Sequence, residues 1–363
     1  MSFSRFFSFQ HSYERLPVHT KSRLSPQNYR KLVVAASIFG GICVVWLLAK
    51  FLSYKAPYTP LDNYEHLNIL PLLRDQTPLS SSSQRGVFSS LYSDSFAIAV
   101  AVLGHSVRRA NIDARLILPY LSSQVSSNAI CIVKAAGWEP HAVPLLPPPH
   151  NGRGIHARFR DQYTKLRIWS LGEELGIDSA VYFDADTLVL RNFEELFNIP
   201  WEFGATPDIY RPGDDRGFAI TFNAGVLAFR PSKKTFEDMK QKLETANYPL
   251  EQAEQAFLNL YFGAKALRLP YVYNANIVVK ERSLEMWEEL GEEMRVIHYS
   301  VIKPFWAKSV SNDLLMTPEQ IRKINDERAA KIGGFYRKEV GWWREVFEEL
   351  MQEKGDAIRA CYS

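Results

Sequence analysis

An uncharged apolar segment near the N-terminus constrains this chain more than any other feature. Residues 32–49 carry no charge and lie between Lys31 and Lys50. Extension to Leu52 gives the roughly 20 residues that a helix needs to cross a bilayer core about 30 Å thick. We therefore predict a transmembrane signal anchor over 32–52. A cleaved signal peptide fits less well, because the preceding basic region is long and no small-residue cleavage site stands out.

The charges around this segment predict its orientation. Arginines and lysines far outnumber acidic residues in 1–31, whereas only two lysines follow the segment before Asp62. The positive-inside rule then places 1–31 in the cytosol as a tail and the rest of the chain across the membrane. Residues 53–86 contain four prolines and a run of four serines, which is typical of a stem or linker.

Composition excludes two classes of protein. With 43 basic and 40 acidic residues the net charge is +3, and no basic run is present, so nucleic acid is not an expected partner. Three cysteines are too few for a disulfide framework. We expect Cys131 to be a buried free thiol, while a Cys131–Cys361 bond in an oxidising lumen stays open as the alternative.

Short apolar segments alternate with amphipathic ones after Gly86. Such repeated β-α-β units predict an α/β domain with a mixed, mostly parallel sheet over 87–310. The remaining residues, 311–363, are charge-rich and helix-like, and Thr317 offers an N-cap for their first helix. We predict strands at 87–92, 115–119, 179–183 and 222–229, and helices at 96–109, 123–136, 233–243 and 251–261.

Two carboxylates follow the strand predicted at 179–183. In extended chain the side chains of Asp184 and Asp186 point the same way, at the strand end where open α/β sheets bind ligands. Hard oxygen donors there suit Mg²⁺ or Mn²⁺. The alternative is structural: both aspartates cap the following turn near Thr187.

A second motif contains His298 and Lys303. A neutral imidazole could complete the metal site that the two aspartates begin. The lysine could neutralise a departing diphosphate. Taken alone, the histidine would be a satisfied core residue and the lysine a solvated surface charge.

Four sequence blocks give these residues a common context. They are LRIWSLGEELGIDSAVYFDADTLVLRNFEELF, FNAGVLAFRPS, EQAFLNLYF and VIHYSVIKPFW. In this order and spacing they resemble glycosyltransferase family 8, the glycogenin-like group, from about Val87 to Trp306. The resemblance implies a GT-A fold, a nucleotide-sugar-binding, Rossmann-like α/β domain. It also implies a metal-dependent retaining glycosyltransferase that uses a UDP-sugar and Mn²⁺.

The resemblance also implies roles for individual residues. Asp184, Asp186 and His298 would be the metal ligands. One of Asp208, Glu254 and Gln255 would act near the anomeric carbon, and the sequence does not choose among them. The positions matching the family's donor-binding segments are Leu91, Tyr92, Ser93, Phe96, Lys165, Asp184, Ala185, Asp186, Asn223, Ala224, Gly225, Ser300 and Lys303.

Two departures from the family pattern concern the donor site. Glu254 stands where the family usually has aspartate, which lengthens the carboxylate's reach by one methylene. The stretch between His298 and Lys303 lacks the family's usual glycine.

Several alternatives remain open at this stage. The expected acceptor is a lumenal glycan, protein or lipid, and the expected location is the Golgi membrane, where anchored transferases often pair as homodimers. A sugar nucleotidyltransferase fits less well, because Tyr92 to Ser95 lacks the glycine-rich phosphate loop. A catalytically silent, membrane-anchored protein that binds sugar nucleotides or glycans is the alternative from another functional class.

Overall fold

The computed structural model describes residues 25–52, 81–307, 311 and 313–362. Most of the predicted cytosolic tail and of the predicted stem lies outside the described residues, so both stay predictions. The chain divides into two compact units, 1–57 and 58–363. In the first unit, helix α1 (Pro26–Leu52) is long and apolar enough to cross a membrane, and none of its residues is buried. The prediction of an N-terminal apolar helix is thus confirmed.

The second unit is an α/β domain. Its strands are β1 (Arg85–Phe88), β2 (Arg115–Tyr120), β3 (Glu139–Ala142), β4 (Ser179–Phe183), β5 (Thr187–Val189), β6 (Phe203–Ile209), β7 (Phe218–Phe229), β8 (Leu267–Arg268), β9 (Ala275–Asn276) and β10 (Val296–His298). Its helices are α2 (Ala97–Arg109), α3 (Ser127–Ala135), α4 (Ile168–Glu174), α5 (Lys233–Lys242), α6 (Ala253–Phe262), α7 (Val278–Arg282), α8 (Leu284–Glu293), α9 (Pro318–Gly334) and α10 (Arg337–Ala360).

The strands form two sheets. The larger has the order β3-β2-β1-β4-β7-β6-β8, and all its neighbours are parallel except β7, which runs antiparallel to β4 and β6. The smaller has the order β5-β10-β9. The predicted mixed, mostly parallel α/β sheet is confirmed. After β1 the chain adds strands on one side and then returns to add β4 on the other. This reversal creates a crevice outside the carboxyl ends of β1 and β4, where ligands bind in such folds.

Both faces of the large sheet are covered. Successive residues of β4 alternate between two hydrophobic clusters, with Val181 and Phe183 in one and Ala180 and Tyr182 in the other. This is the period of two that a strand buried on both faces requires. One cluster includes residues of α2, α3 and α10, and the other includes residues of α4, α5 and α6.

The predicted elements are present with shifted boundaries. The strand predicted at 179–183 has those bounds, while β7 begins four residues before the predicted Phe222. The near-helical pattern over 159–175 divides into a 3-10 segment, Asp161–Arg167, and α4. Thr317 caps α9 in a capping box with Gln320, as predicted.

The expectation of a buried free thiol at Cys131 is wrong. Cys131 lies on the exposed side of α3 and forms a disulfide with Cys361 at the end of α10. The apolar neighbours Ile132 and Val133 are buried, but the Cys131 side chain is bonded to Cys361, directly after α10. The bond therefore joins the C-terminal helix to the α/β domain.

Candidate functional site

A tight turn at the carboxyl end of β4 carries the two aspartates. The backbone N–H of Asp184 donates to the carbonyl of Gly225 on β7, 2.8 Å away. The backbone N–H and the hydroxyl of Thr187 both donate to the Asp184 carbonyl, at 3.0 and 2.8 Å. Residues 184–187 therefore form a turn and not the expected extended chain, yet one carboxylate oxygen of each aspartate still lies within 4.8 Å of the other. The alternative that both aspartates cap this turn also fails, because the hydroxyl that hydrogen-bonds to the turn's backbone, at the Asp184 carbonyl, belongs to Thr187 and not to an aspartate.

Strand β10 brings His298 to this turn. His298 lies opposite Thr187 in the antiparallel pairing of β10 with β5, and the Tyr299 N–H donates to the Asp186 carbonyl at 2.9 Å. The imidazole Nε2 then lies 3.4 Å from Asp186 Oδ1. One ligand atom from each of Asp184, Asp186 and His298 lies within 4.8 Å of the others. The fold thus assembles the predicted metal ligands from two distant parts of the chain.

A glycine makes room for the imidazole. A Cβ atom on Gly225 would lie 2.4 Å from His298 Cε1 and 2.7 Å from Nδ1, well inside van der Waals contact. The ring therefore packs directly on the backbone of β7. This close approach explains physically why the Asn223-Ala224-Gly225 segment ends in glycine.

The chemistry of this group fits a divalent cation. Two carboxylates and an imidazole are ligands that Mg²⁺ or Mn²⁺ accepts. The Lys303 ammonium contacts Asp186, so this carboxylate already has positive charge beside it. Burial alone would raise the pKa of Asp186, but Lys303 and His298 outweigh it and hold that pKa well below its usual range. The ionised carboxylate therefore stabilises the fold above its unfolded-state pKa, and this stabilisation is lost as pH falls.

Lys165 lies beneath the aspartates with 1% of its side chain exposed. Its Nζ is 3.0 Å from Asp184 Oδ1, 3.0 Å from Glu254 Oε1 and 3.3 Å from the Ala224 carbonyl. Burial would lower the pKa of Lys165, but Asp184, Tyr182 and Glu254 together raise it well above its ordinary value. The ammonium is thus held charged between two carboxylates, and it fixes their positions.

A second group of polar side chains lies beside the first. Asn223 Nδ2 donates to Asp208 Oδ1 at 3.1 Å, and Gln255 Nε2 donates to Asp208 Oδ2 at 2.9 Å. Gln255 Oε1 accepts from the Ala224 N–H at 3.0 Å. Burial raises the pKa of Asp208, although hydrogen bonds from Ile209, Asn223 and Gln255 partly offset that effect. The predicted sugar-site residues therefore form one hydrogen-bonded cluster.

The loop after β1 approaches the same region. Burial raises the pKa of Tyr92, whose hydroxyl is close enough to Lys165, Glu254 and Asp184 to interact with their charges. The Phe96 ring packs edge-on against Phe305 with centroids 5.4 Å apart. Of the other predicted donor-binding positions, Leu91 is fully buried and Ser93 contacts Ser95 in this loop, while Ala185, between the two aspartates, packs on the core.

Ser300 and Lys303 lie on the loop after β10. The Ser300 hydroxyl donates to Asn276 Oδ1 at 2.6 Å, which anchors the start of this loop to β9. About a quarter of the Lys303 side chain is exposed, and its partner among the described residues is Asp186. Lys303 therefore lies partly exposed and contacts Asp186, whereas the buried Lys165 contacts Asp184.

Sequence reasoning missed two residues of this site. Tyr182 donates its hydroxyl to Asp184 Oδ1 at 2.8 Å, and the two-residue spacing along β4 was a signal that could have found it. Asn274 Oδ1 lies 3.0 Å from His298 Nδ1. No spacing in the sequence relates Asn274 to His298, because the contact depends on the pairing of β9 with β10.

Known proteins resemble this chain over the same residues. Inositol phosphorylceramide glucuronosyltransferase 1 of Arabidopsis thaliana is 29% identical over 251 residues, 62% of this chain and 43% of that protein. Human glycogenin-2 is 30% identical over 250 residues, 63% of this chain and 46% of that protein. The chain thus spans less than half the length of either relative.

A solved structure also resembles the fold. The galactosyltransferase LgtC with donor and acceptor sugar analogues gives a TM-score of 0.43 at 20% identity, covering 70% of this chain and 99% of that one. The family model described as glycosyl transferase family 8 matches residues 90–309, which is more than half of the chain and includes the whole ligand cluster. The chain therefore belongs to glycosyl transferase family 8, as its motifs predicted.

Proposed function

We propose that this protein is a metal-dependent retaining glycosyltransferase that moves a sugar from a UDP-sugar to a lumenal acceptor. The observation that carries the proposal is the cluster of Asp184, Asp186 and His298 within 4.8 Å, at the carboxyl end of β4. Membership of the family supports the same reaction class.

Each group in the crevice has a role in this proposal. Asp184, Asp186 and His298 would hold Mn²⁺ or Mg²⁺, which would supply positive charge opposite the departing diphosphate. Lys303 leaves Asp186 and neutralises the same diphosphate, and Ser300 positions its loop. Lys165 keeps Asp184 and Glu254 in place. Asp208 and Gln255, which already contact each other, orient the sugar at its anomeric carbon.

The proposed location is the Golgi membrane, with the α/β domain in the lumen. The apolar helix α1 and the basic residues before it support a single-pass, cytosol-to-lumen orientation. The Cys131–Cys361 disulfide supports it independently, because such bonds persist in oxidising compartments. On this account the predicted stem, 53–86, leads into β1, which begins at Arg85, while 87–310 is the catalytic domain and 311–363 its helical extension.

The relatives suggest donors and acceptors for testing. One of them carries glucuronosyltransferase and inositol phosphorylceramide in its name, so UDP-glucuronate and a glycosphingolipid of that class belong in the first panel. Glycans and proteins complete the set of acceptors. Whether two copies pair can be read from the same preparation by size-exclusion chromatography with light scattering.

Release of UDP by the full chain in detergent tests the proposal. A panel of UDP-sugars and GDP-sugars is offered with Mn²⁺, then with a chelator, each with and without acceptors. We expect turnover of one UDP-sugar that the chelator stops, and a product in which the anomeric configuration is retained. Turnover that continues in chelator would contradict the metal role, and binding without turnover for every donor and acceptor would favour the silent binder.

A further inference from the structure

We propose that Asn274 is a positioning residue that fixes the tautomer of His298 and so presents its Nε2 lone pair to the metal. The inference rests on the proposed function, since it concerns the metal site of that reaction. Its basis is a chain of hydrogen bonds whose direction is set at one end by a backbone N–H.

The chain begins at Gly225. Its N–H can only donate, and it donates to Asn223 Oδ1 at 3.0 Å. The Asn223 amide therefore has its oxygen on this side and its Nδ2 on the other, where it donates to Asp208 Oδ1 at 3.1 Å. Both ends of the Asn223 amide agree on this orientation.

Asn274 takes its own orientation from Asn223. Asn274 Nδ2 donates to Asn223 Oδ1 at 3.0 Å, so its Oδ1 points the other way, to His298 Nδ1 at 3.0 Å. An amide oxygen can only accept, hence His298 Nδ1 carries the hydrogen. In a neutral imidazole the lone pair then belongs to Nε2, the atom that faces Asp186 Oδ1 at 3.4 Å.

The hydrogen bond between Asn274 and His298 is buried. Asn274 is 1% exposed and His298 is 4% exposed, so water cannot easily replace a lost partner. Metal-binding histidines commonly donate their second ring nitrogen to such an outer partner, and loss of that partner typically weakens metal binding by about 10–100-fold. The same chain links the metal ligand to Asp208, on the sugar side of the site.

Mn²⁺ binding to the full chain, measured by electron paramagnetic resonance without donor, tests the inference. Asn274→Leu keeps the approximate shape of the side chain but removes the acceptor, and we expect it to bind Mn²⁺ about 10–100-fold more weakly. Asn274→Asp keeps an acceptor for Nδ1–H, so it should recover most of that affinity. In ¹⁵N-histidine-labelled protein, His298 should be the Nδ1–H form in wild type and a mixture in Asn274→Leu.

A matched control separates positioning from general destabilisation. The Asn192 side chain makes comparable hydrogen bonds: its Nδ2 donates to the Ala110 and Asn111 carbonyls at 3.1 and 3.4 Å, and its Oδ1 accepts from the Glu194 N–H at 2.9 Å. Asn192→Leu should therefore lose some stability but keep wild-type Mn²⁺ affinity. Wild-type affinity in Asn274→Leu, or equal weakening in Asn274→Asp, would overturn the inference alone. Failure of the wild-type chain to bind Mn²⁺ would overturn the proposed metal site as well.

Discussion

The two sides of the crevice are built differently. On the sheet side, Lys165, Asp208 and Gln255 each make at least two polar contacts, so the side chains are fixed before any ligand arrives. On the other side lies the loop of residues 300–306, which we propose contacts the diphosphate and call the diphosphate loop; its Lys303 has Asp186 as its partner among the described residues. The sheet side is preorganised, whereas the loop offers a cation on a flexible stem that can change partner.

The diphosphate loop takes its rigidity from outside the sheet. Arg328 on α9 donates to the Trp306 carbonyl through Nε and a terminal nitrogen, at 2.9 and 2.6 Å. Phe305 is fully buried, with its ring 5.7 Å from that of Trp343 on α10. The C-terminal helices therefore hold the backbone of the loop while its lysine stays adaptable.

The largest expected effect is at the metal cluster. Asp186→Asn removes an ionised ligand, and we expect UDP release to fall by about 10³-fold or more, which corresponds to roughly 4 kcal/mol of transition-state stabilisation. Initial rates at saturating Mn²⁺ measure it. Asp178→Asn, at the opposite end of β4, is the matched control and should turn over normally. Normal turnover by Asp186→Asn would contradict the proposal that Asp186 holds a metal needed for the reaction.

Lys165→Met tests the claim that the sheet side is locked by a buried charge. It leaves Asp184 and Glu254 without their shared cation, and breaking a buried pair in this way costs roughly 3–5 kcal/mol. Urea unfolding should show that loss, while Lys134→Met, at an exposed position of α3, should show almost none. The double variant Lys165→Met with Glu254→Gln should recover part of the stability. Full stability in Lys165→Met would mean that the buried ammonium does not hold this side together.

Lys303→Met tests the adaptable side. Because Lys303 contacts Asp186 before donor binds, its loss should leave Mn²⁺ affinity unchanged or tighter without donor. The KM for the donor should nevertheless rise, lowering kcat/KM by about 10–100-fold, or roughly 1.4–2.7 kcal/mol. Metal titration and steady-state kinetics on one preparation give both numbers. Weaker Mn²⁺ binding in the variant would contradict the exchange of partners.

Arg328→Ala tests the external brace of the diphosphate loop. The hydrogen bond that the charged guanidinium makes to the Trp306 carbonyl is worth about 1.5 kcal/mol or more. We expect a similar loss in the free energy of unfolding and a several-fold rise in donor KM, with Mn²⁺ affinity unaffected. Arg337→Ala, at the exposed start of α10, is the control. An unchanged KM in Arg328→Ala would show that the loop needs no brace.

The smallest expected effect is a shift in pH dependence. Burial raises the pKa of Asp208. An ordinary aspartate has a pKa of about 3.9, so as pH falls the Asp208 carboxylate becomes protonated at a higher pH than that. If the carboxylate orients the sugar, activity falls as pH drops through this raised value. The pH profile of kcat should therefore show an acid limb that Asp208→Asn lacks in its residual activity. An identical limb in the variant would assign it to another group.

The cluster of Asp184, Asp186 and His298 was predictable from sequence, through the motifs that resemble those of the family. The two aspartates follow an apolar strand, and His298 and Lys303 occur in a short motif with a fixed spacing. The turn at 184–187 was not predictable, because it depends on the Thr187 hydroxyl and on pairing with β7. Asn274 was missed for the same reason, since its partner lies 24 residues away across a strand pair.

The C-terminal region shows a second limit of sequence reasoning. Its helices and its Thr317 cap follow from local patterns, which is why they were predicted. The Cys131–Cys361 bond, across 230 residues of chain, and the packing of Phe305 on Trp343 are tertiary facts that no local pattern contains.

Metal removal and return tests the central claim most directly. The full chain is dialysed against a chelator and then titrated with Mn²⁺, while UDP release and bound Mn²⁺ are followed together. The account predicts almost no turnover at the start and activity that rises in step with the filling of one site per chain. It also predicts that His298→Ala shifts both curves together to higher Mn²⁺. Full turnover in the chelated protein, or activity independent of that site, would contradict it.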